Sequence, residues 1–221
     1  MSLKDKTFGN GLFKSIGHET RTLLNTITGP IEIIRMYSDD SRLIEPLKIL
    51  ELSAYRYEKF SLRALLIYDI LSENEKLDIK PIDIIDCLKH IILELDDFLS
   101  FYRIRVNQQE LGEVKFAQGN STVVYQCLEV LLEHSLQLSS LDSVIDIRGS
   151  NNPNEFFSIS IQDNGLLANK FKEISTSESL PTDLDLAFFA LATYEQQNLS
   201  FEFESINGKS IVFVSTKQSL Q

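Results

Sequence analysis

The stretch Ser15-Ile16-Gly17-His18-Glu19-Thr20-Arg21-Thr22-Leu23-Leu24 brings a nucleophile, an acid and a base within about one helical turn. A neutral imidazole such as that of His18 is the side-chain nucleophile best suited to reversible phosphoryl transfer near neutral pH, because its unperturbed pKa is about 6.5. Glu19 can hold the other ring nitrogen as a hydrogen-bond acceptor and general base. Arg21 can pair with a phosphate or with an acidic group of a docked partner. A single exposed histidine on an amphipathic helix is common and proves nothing by itself. The company that His18 keeps is what singles it out.

These residues need a helix to position them. Leu12, Ile16, Leu23, Ile27, Ile31 and Ile34 follow one another in steps of 4, 7, 4, 4 and 3, which traces one apolar stripe. His18 comes two residues after Ile16, so it points roughly 200° from the stripe at about 100° per residue. Arg21, Thr22 and Asn25 fall on its own face. The pattern predicts a helix over 8–36, kinked at Gly29-Pro30 because proline lacks a donor and crowds the preceding turn. The polar segment 37–42 is a turn, with Ser41 as N-cap and Glu45 in the first turn of the next helix.

That second helix spans 43–72, with Leu43, Leu47, Leu50, Ala54, Tyr57, Leu62, Leu65, Leu66, Asp69 and Ile70 near a 3.5-residue period. Two amphipathic helices joined by a short turn form an antiparallel hairpin. Two helices cannot enclose a core. A second copy completes a four-helix bundle, so a homodimer is expected.

The chain has 221 residues, 43% hydrophobic, with a net charge of −11. The length allows one large domain or two small ones. The acidity argues against a nucleic-acid surface. No run approaches the ~18 apolar residues of a membrane span, and no secretory signal stands at the N-terminus. A cytoplasmic protein without membrane contact is expected. Cys87 and Cys127 sit in apolar helical contexts and read as reduced core thiols.

The charged segment 72–80 is a linker ended by Pro81, giving domains 1–76 and 77–221. Beyond it the pattern predicts a helix over 83–100, with Ile84, Ile85, Leu88, Ile91, Ile92 and Leu95 inward. Short strands follow at 104–106 and 114–116, then a helix over 121–138 capped by Asn120 or Ser121. Strands at 143–148 and 156–162 flank a turn at 151–154. Residues 164–181 read as a loop or lid, 183–195 as a helix, and 199–204 and 210–215 as a hairpin around Asn207-Gly208. The fold class is α+β: the helical hairpin, then an α/β sandwich with helices on one face of a largely antiparallel sheet.

The first hairpin resembles the dimerisation and phosphoacceptor domain of two-component sensor histidine kinases. Their motif reads approximately SHELRTPL, and His18, Glu19, Arg21 and Thr22 match it in register, with Leu23 in place of the usual proline. Gly29 falls where many of these kinases carry a glycine. The order of elements after Pro81 resembles the kinases' ATPase domain, so the resemblance covers nearly the whole chain. It implies His18 as phosphoacceptor and Glu19 as its orienting base. Glu19-x-x-Thr22 is similar to the family's phosphatase motif, which implies that Thr22 positions a water.

The resemblance weakens at the nucleotide motifs. Against a segment similar to NLLxNAxK stand Val130-Leu131-Leu132-Glu133-His134-Ser135-Leu136-Gln137, with His134 for the Mg²⁺-holding asparagine and Gln137 for the lysine. Imidazole is a poor ligand for hard Mg²⁺. Asp163-Asn164-Gly165-Leu166-Leu167 keeps the acid that would read adenine but lacks the second glycine of DxGxG. Pro181-Thr182-Asp183-Leu184-Asp185-Leu186 puts two carboxylates where a motif similar to GxGLGL has glycines. Asp183 and Asp185 would repel a triphosphate at a helix N-terminus that should attract it.

The expected function is therefore a dimeric histidine phosphotransferase, carrying phosphate on His18 between receiver-domain aspartates of response regulators. No cofactor and no metal are expected in the chain itself; Mg²⁺ is expected on the receiver. His134 is given little weight as a metal ligand, and His90 reads as a helix-surface or satisfied core residue. The alternatives are the catalytic core of a divergent ATP-dependent sensor kinase and a non-catalytic pseudokinase module. Leu12, Ile16, Thr20, Leu24 and Ile27 are candidate docking residues.

Overall fold

The computed structural model describes residues 24–25, 27–37, 40–72, 78–111, 116–150, 155–176, 181, 183–195 and 199–216. The chain divides into two compact units, Met1–Glu75 and Lys76–Gln221.

In the first unit, residues 24–25 and 27–37 are helical (α1), and the helix continues through Gly29 and Pro30. A 3₁₀ turn, Ser41–Leu43, leads into α2, Ile44–Ser72. The turn is organised by Asp40, one residue before the expected cap: its Oδ1 accepts from the Arg42 N–H at 3.0 Å, and its carbonyl accepts from the Leu43 N–H. Arg35 on α1 reaches Glu51 on α2 at 3.1 Å. That exposed pair aligns the helices but contributes at most about 1 kcal/mol. Leu24, Ile31, Leu47, Ala54, Leu66 and Ile70 are buried. Ile27 and Ile34, from the same predicted stripe as Ile31, are 49% and 44% exposed, and Leu50 and Tyr57 are exposed on α2. Two helices bury one seam and leave the flanking apolar residues bare.

In the second unit, the segment read as linker ends in a strand, β1 (Lys80–Asp83). Pro81 is tolerated because, among the described residues, β1 pairs on one side only, antiparallel with β3 (Phe116–Gly119). Asp83 then caps α3 (Ile84–Glu94), its carboxylate accepting from Ile85 and Asp86 N–H. The single helix expected over 83–100 is two. It breaks at Leu95 (φ −85°, ψ 0°), and α4 (Asp96–Tyr102) ends at Arg103 in the left-handed region.

β2 (Arg105–Gln109) precedes β3, and α5 (Ser121–Leu138) follows it, with Asn120 Oδ1 accepting from Val123 N–H at 3.1 Å. β4 (Val144–Gly149) and β5 (Glu155–Gln162) are next. Then come two helices, α6 (Leu166–Thr176) and α7 (Leu184–Glu195), and a hairpin of β6 (Leu199–Ile206) and β7 (Lys209–Thr216). The main sheet runs β2-β4-β5-β7-β6; β2 and β4 are parallel, the other pairs antiparallel. Alternate residues of the sheet, among them Ile145, Ile147, Phe157, Ile159, Ile161, Val212 and Val214, are buried. Helix α6 packs on β6 and β7, and α5 packs against α3, α6 and α7. Phe171 of α6, Phe189 of α7 and Phe201 and Phe203 of β6 knit the layers together, with ring centroids about 5 Å apart. The fold is α+β, a helical element followed by a sandwich of helices on a mixed sheet.

Asn207 and Gly208 both have positive φ, 51° and 75°, as a two-residue hairpin turn of this twist requires. Among the described residues no helix is long and apolar enough to cross a membrane. Neither cysteine is in a disulfide; Cys127 is buried and Cys87 half-buried.

Candidate functional site

His18, Glu19, Arg21 and Thr22 lie outside the described residues, as do Leu12, Ile16 and Thr20. Of the other candidates on the first helix, Leu24 is buried and Ile27 exposed. The structure therefore speaks to the second half of the expected site, the corner where β5, α5, α6 and α7 carry the segments that were set against nucleotide motifs.

The corner begins at Asp163, at the end of β5 and 5% exposed. Asn164 and Gly165 follow with φ of 58° and 79°, which turns the chain sharply into α6. A Cβ on Gly165 would lie 2.2 Å from Ser205 Oγ, so the turn packs against β6 as well. Residues 166–176 are thus helical where a loop was expected. The missing signal is the cap. Asp163 Oδ2 accepts from Leu167 N–H at 2.6 Å and Oδ1 from Gly165 N–H at 2.9 Å, supplying acceptors to the first turn. Ser210 on β7 completes the shell: its N–H donates to Oδ1 at 3.1 Å and its hydroxyl to Oδ2 at 2.9 Å. The same hydroxyl oxygen accepts from Ala168 N–H. Four donors thus converge on a carboxylate with about four acceptor sites. The acid that would read an adenine amino group is engaged by the protein itself.

Asp183 plays a similar part at α7. Its Oδ1 accepts from Asp185 N–H at 3.0 Å and Leu186 N–H at 3.3 Å, and its carbonyl from Ala187 N–H. These are N-terminal donors of the kind that cradle phosphates in nucleotide sites. Here they belong to a carboxylate of the chain.

His134 projects from α5 into the same corner and is 4% exposed. Its ring packs edge-on to Phe171. Its Nδ1 lies 3.4 Å from Lys170 Nζ, and the same ammonium lies 3.8 Å from Asp183 Oδ2. One ligand-capable atom from each of His134, Asp183 and Asp185 falls within 4.8 Å of the others. Lys170 and Ser210 were missed by sequence reasoning. Lys170 stands in the stretch read as a loop, although Leu167, Phe171 and Ile174 there carry helical spacing. Nothing local marks Ser210, whose role depends on a partner 47 residues away. His90 is on the exposed face of α3, with Nδ1 3.0 Å from the Asp86 carbonyl.

A Mg²⁺–nucleotide fits these residues poorly. The Asp163 carboxylate already accepts from four donors of the chain, the α7 N-terminus is capped from within, and His134 would offer an imidazole where Mg²⁺ favours oxygen.

The sequence matches no protein-family model and no curated protein. Solved structures do match in fold. The Acinetobacter baumannii histidine kinase AdeS aligns over 91% of this chain and 98% of its own at TM-score 0.56 and 13% identity. The fold is that of a histidine-kinase core. The cytoplasmic segment of histidine kinase QseC aligns over 81% of this chain and 98% of its own, at TM-score 0.56 and 17% identity. Full-length ShkA, solved in complex with AMPPNP, aligns over 94% of this chain and 45% of its own, at 0.59 and 13%. The likeness spans both compact units.

Proposed function

We propose that this chain is a dimeric histidine phosphotransferase of two-component signalling with a disabled nucleotide site. The observation that carries the reading is the self-capped corner. A kinase needs the α7 N-terminus for phosphates and Asp163 for adenine, and both are committed to the chain's own groups. The intact His-Glu-x-Arg-Thr motif supplies the other half. His18 attacks the phosphorus of a receiver's aspartyl phosphate. An N–P bond forms, the acyl P–O bond breaks, and the aspartate leaves as carboxylate, with Mg²⁺ on the receiver balancing the charge. Glu19 holds the second ring nitrogen, and Arg21 faces phosphate or the receiver's acids. Reversal onto a second receiver drains the phosphate, and Thr22 positions a water for hydrolysis. The bare residues Ile27, Ile34, Leu50 and Tyr57 support dimerisation through the hairpin, since a second copy would cover them.

The divergent kinase is the second reading, favoured by the fold it shares with kinases such as ShkA. Two measurements separate them. Incubation with a phosphorylated receiver should label the wild type with acid-labile phosphate and leave His18→Ala unlabelled. Titration with Mg²⁺–ATP should show no binding. Tight ATP binding with self-labelling of His18 would overturn the phosphotransferase reading in favour of the kinase. Equal receiver binding by wild type and His18→Ala, with no phosphate on either, would leave an interaction module.

A further inference from the structure

Three departures from the nucleotide motifs, His134 on α5 and the near neighbours Asp183 and Asp185 at the start of α7, meet in one corner, with ligand atoms within 4.8 Å of one another. The geometry points to a binding site for a divalent first-row transition ion such as Zn²⁺, held by His134, Asp183 and Asp185 without any nucleotide. It deepens the reading of a disabled nucleotide site and does not depend on His18.

The donor set decides the class of ion. One imidazole and two carboxylates suit Zn²⁺, Co²⁺ or Ni²⁺ and not Mg²⁺ or Ca²⁺, which prefer all-oxygen shells. Three protein ligands leave a fourth position for water. Donors about 2.1 Å from a tetrahedral ion stand about 3.4 Å apart, so the set must contract by roughly 1.4 Å from its widest spacing. Both carboxylates lie at the start of α7, where side-chain rotation can supply that movement. Asp183 retains Oδ2 for the ion while Oδ1 caps the helix. His134 is held in place by burial against Phe171.

An independent observation is the cation already there. Lys170 Nζ lies beside both His134 Nδ1 and Asp183 Oδ2. The corner therefore attracts positive charge, and Lys170 marks where. Its side chain is 36% exposed, so it can swing to solvent when an ion enters. Lys170 then acts as an internal competitor that sets the threshold for metal.

The test uses the full chain, stripped with chelator and titrated with Co²⁺ in the absence of nucleotide. One ion per chain should bind with a visible d–d band, and Zn²⁺ should abolish the band. His134→Gln and Asp185→Asn should each weaken binding at least about tenfold. Lys170→Met should tighten it several-fold, and His90→Ala should leave it unchanged. No band, or wild-type affinity in His134→Gln, overturns the site, as does a loss confined to His90→Ala. Where far-UV circular dichroism shows His134→Gln unfolded, Asp185→Asn decides. A parallel Mg²⁺–ATP titration keeps the two readings apart: tight ATP binding sinks the disabled nucleotide site, whereas absent Co²⁺ binding sinks the metal site alone.

Discussion

Replacing Asp163 by alanine should destabilise the second unit more than any other single substitution in the corner. The carboxylate accepts from Gly165 N–H, Leu167 N–H, Ser210 N–H and Ser210 Oγ in a site only 5% exposed. A buried donor left without its acceptor costs about 1–3 kcal/mol. Simple addition over four donors overshoots, because relaxation and entering water recover part of it. Burying the carboxylate also carries its own desolvation cost, which alanine removes. Breaking one partner of a buried charged network costs about 3–5 kcal/mol, and that is the expected loss. With a urea m-value of about 2 kcal/mol/M, the midpoint falls by roughly 2 M. Asp163→Asn should lie between, because its single oxygen serves two donors while its NH₂ faces the other two. The chain has no tryptophan, so unfolding is followed by far-UV circular dichroism. Amide exchange at Gly165, Leu167 and Ser210 should accelerate first. If Asp163→Ala stays within about 1 kcal/mol of wild type, the carboxylate is not the keystone described. A protein in which Asn abolished tight ATP binding without loss of stability would have the acid reading nucleotide instead.

Further outcomes are expected. Asp183→Ala should cost about 1 kcal/mol through loss of the α7 cap, seen as a lower midpoint, without any gain of ATP binding. Burial, and then the negative charges of Asp86 and Asp83, push the Cys87 thiol up from 9.0 to about 11. Because the folded state holds this proton more tightly than the unfolded chain, the associated stability is complete below about pH 9 and is lost as pH rises towards 11. At pH 8 iodoacetamide should modify Cys87 about a hundredfold more slowly than an ordinary thiol, read by peptide mass spectrometry, since two units of pKa are a hundredfold in thiolate. Gly208→Val should cost roughly 1–3 kcal/mol by forcing a β-branched residue to φ 75°, measured by thermal unfolding.

Much of the sandwich could be read in advance wherever a single periodicity acted alone. The cap at Asn120 (one of the two residues expected there), the helix over 121–138 and the Asn207-Gly208 turn are local signals, and each stands where it was expected. The failures are of another kind. The break at Leu95 lies inside one continuous apolar pattern, and only backbone angles separate α3 from α4. β1 was hidden by a proline that its one-sided pairing tolerates. Helix α6 looked like a lid because its polar residues and breakers outweighed a cap supplied partly from β7. At the site, the altered residues were visible one by one. Their meeting was not, since His134 and Asp183 come together only through the packing of α5 against α7.

The clasp between Asp163 and Ser210 also orders events in time. Asn164 N–H and the Gln162 amide both donate to the carbonyl of Gly208, so the end of β5 is fastened to the tip of the last hairpin. On a ribosome, β5 and α6 emerge before β7 exists. Until then Asp163 lacks the serine's two donors, and α6 lacks the strand beneath it. The corner is therefore a late product of folding, closed by contacts of long sequence separation after the earlier helices have formed. Chains caught before that closure would display an uncovered sheet edge at β5, the surface that a chaperone would meet first.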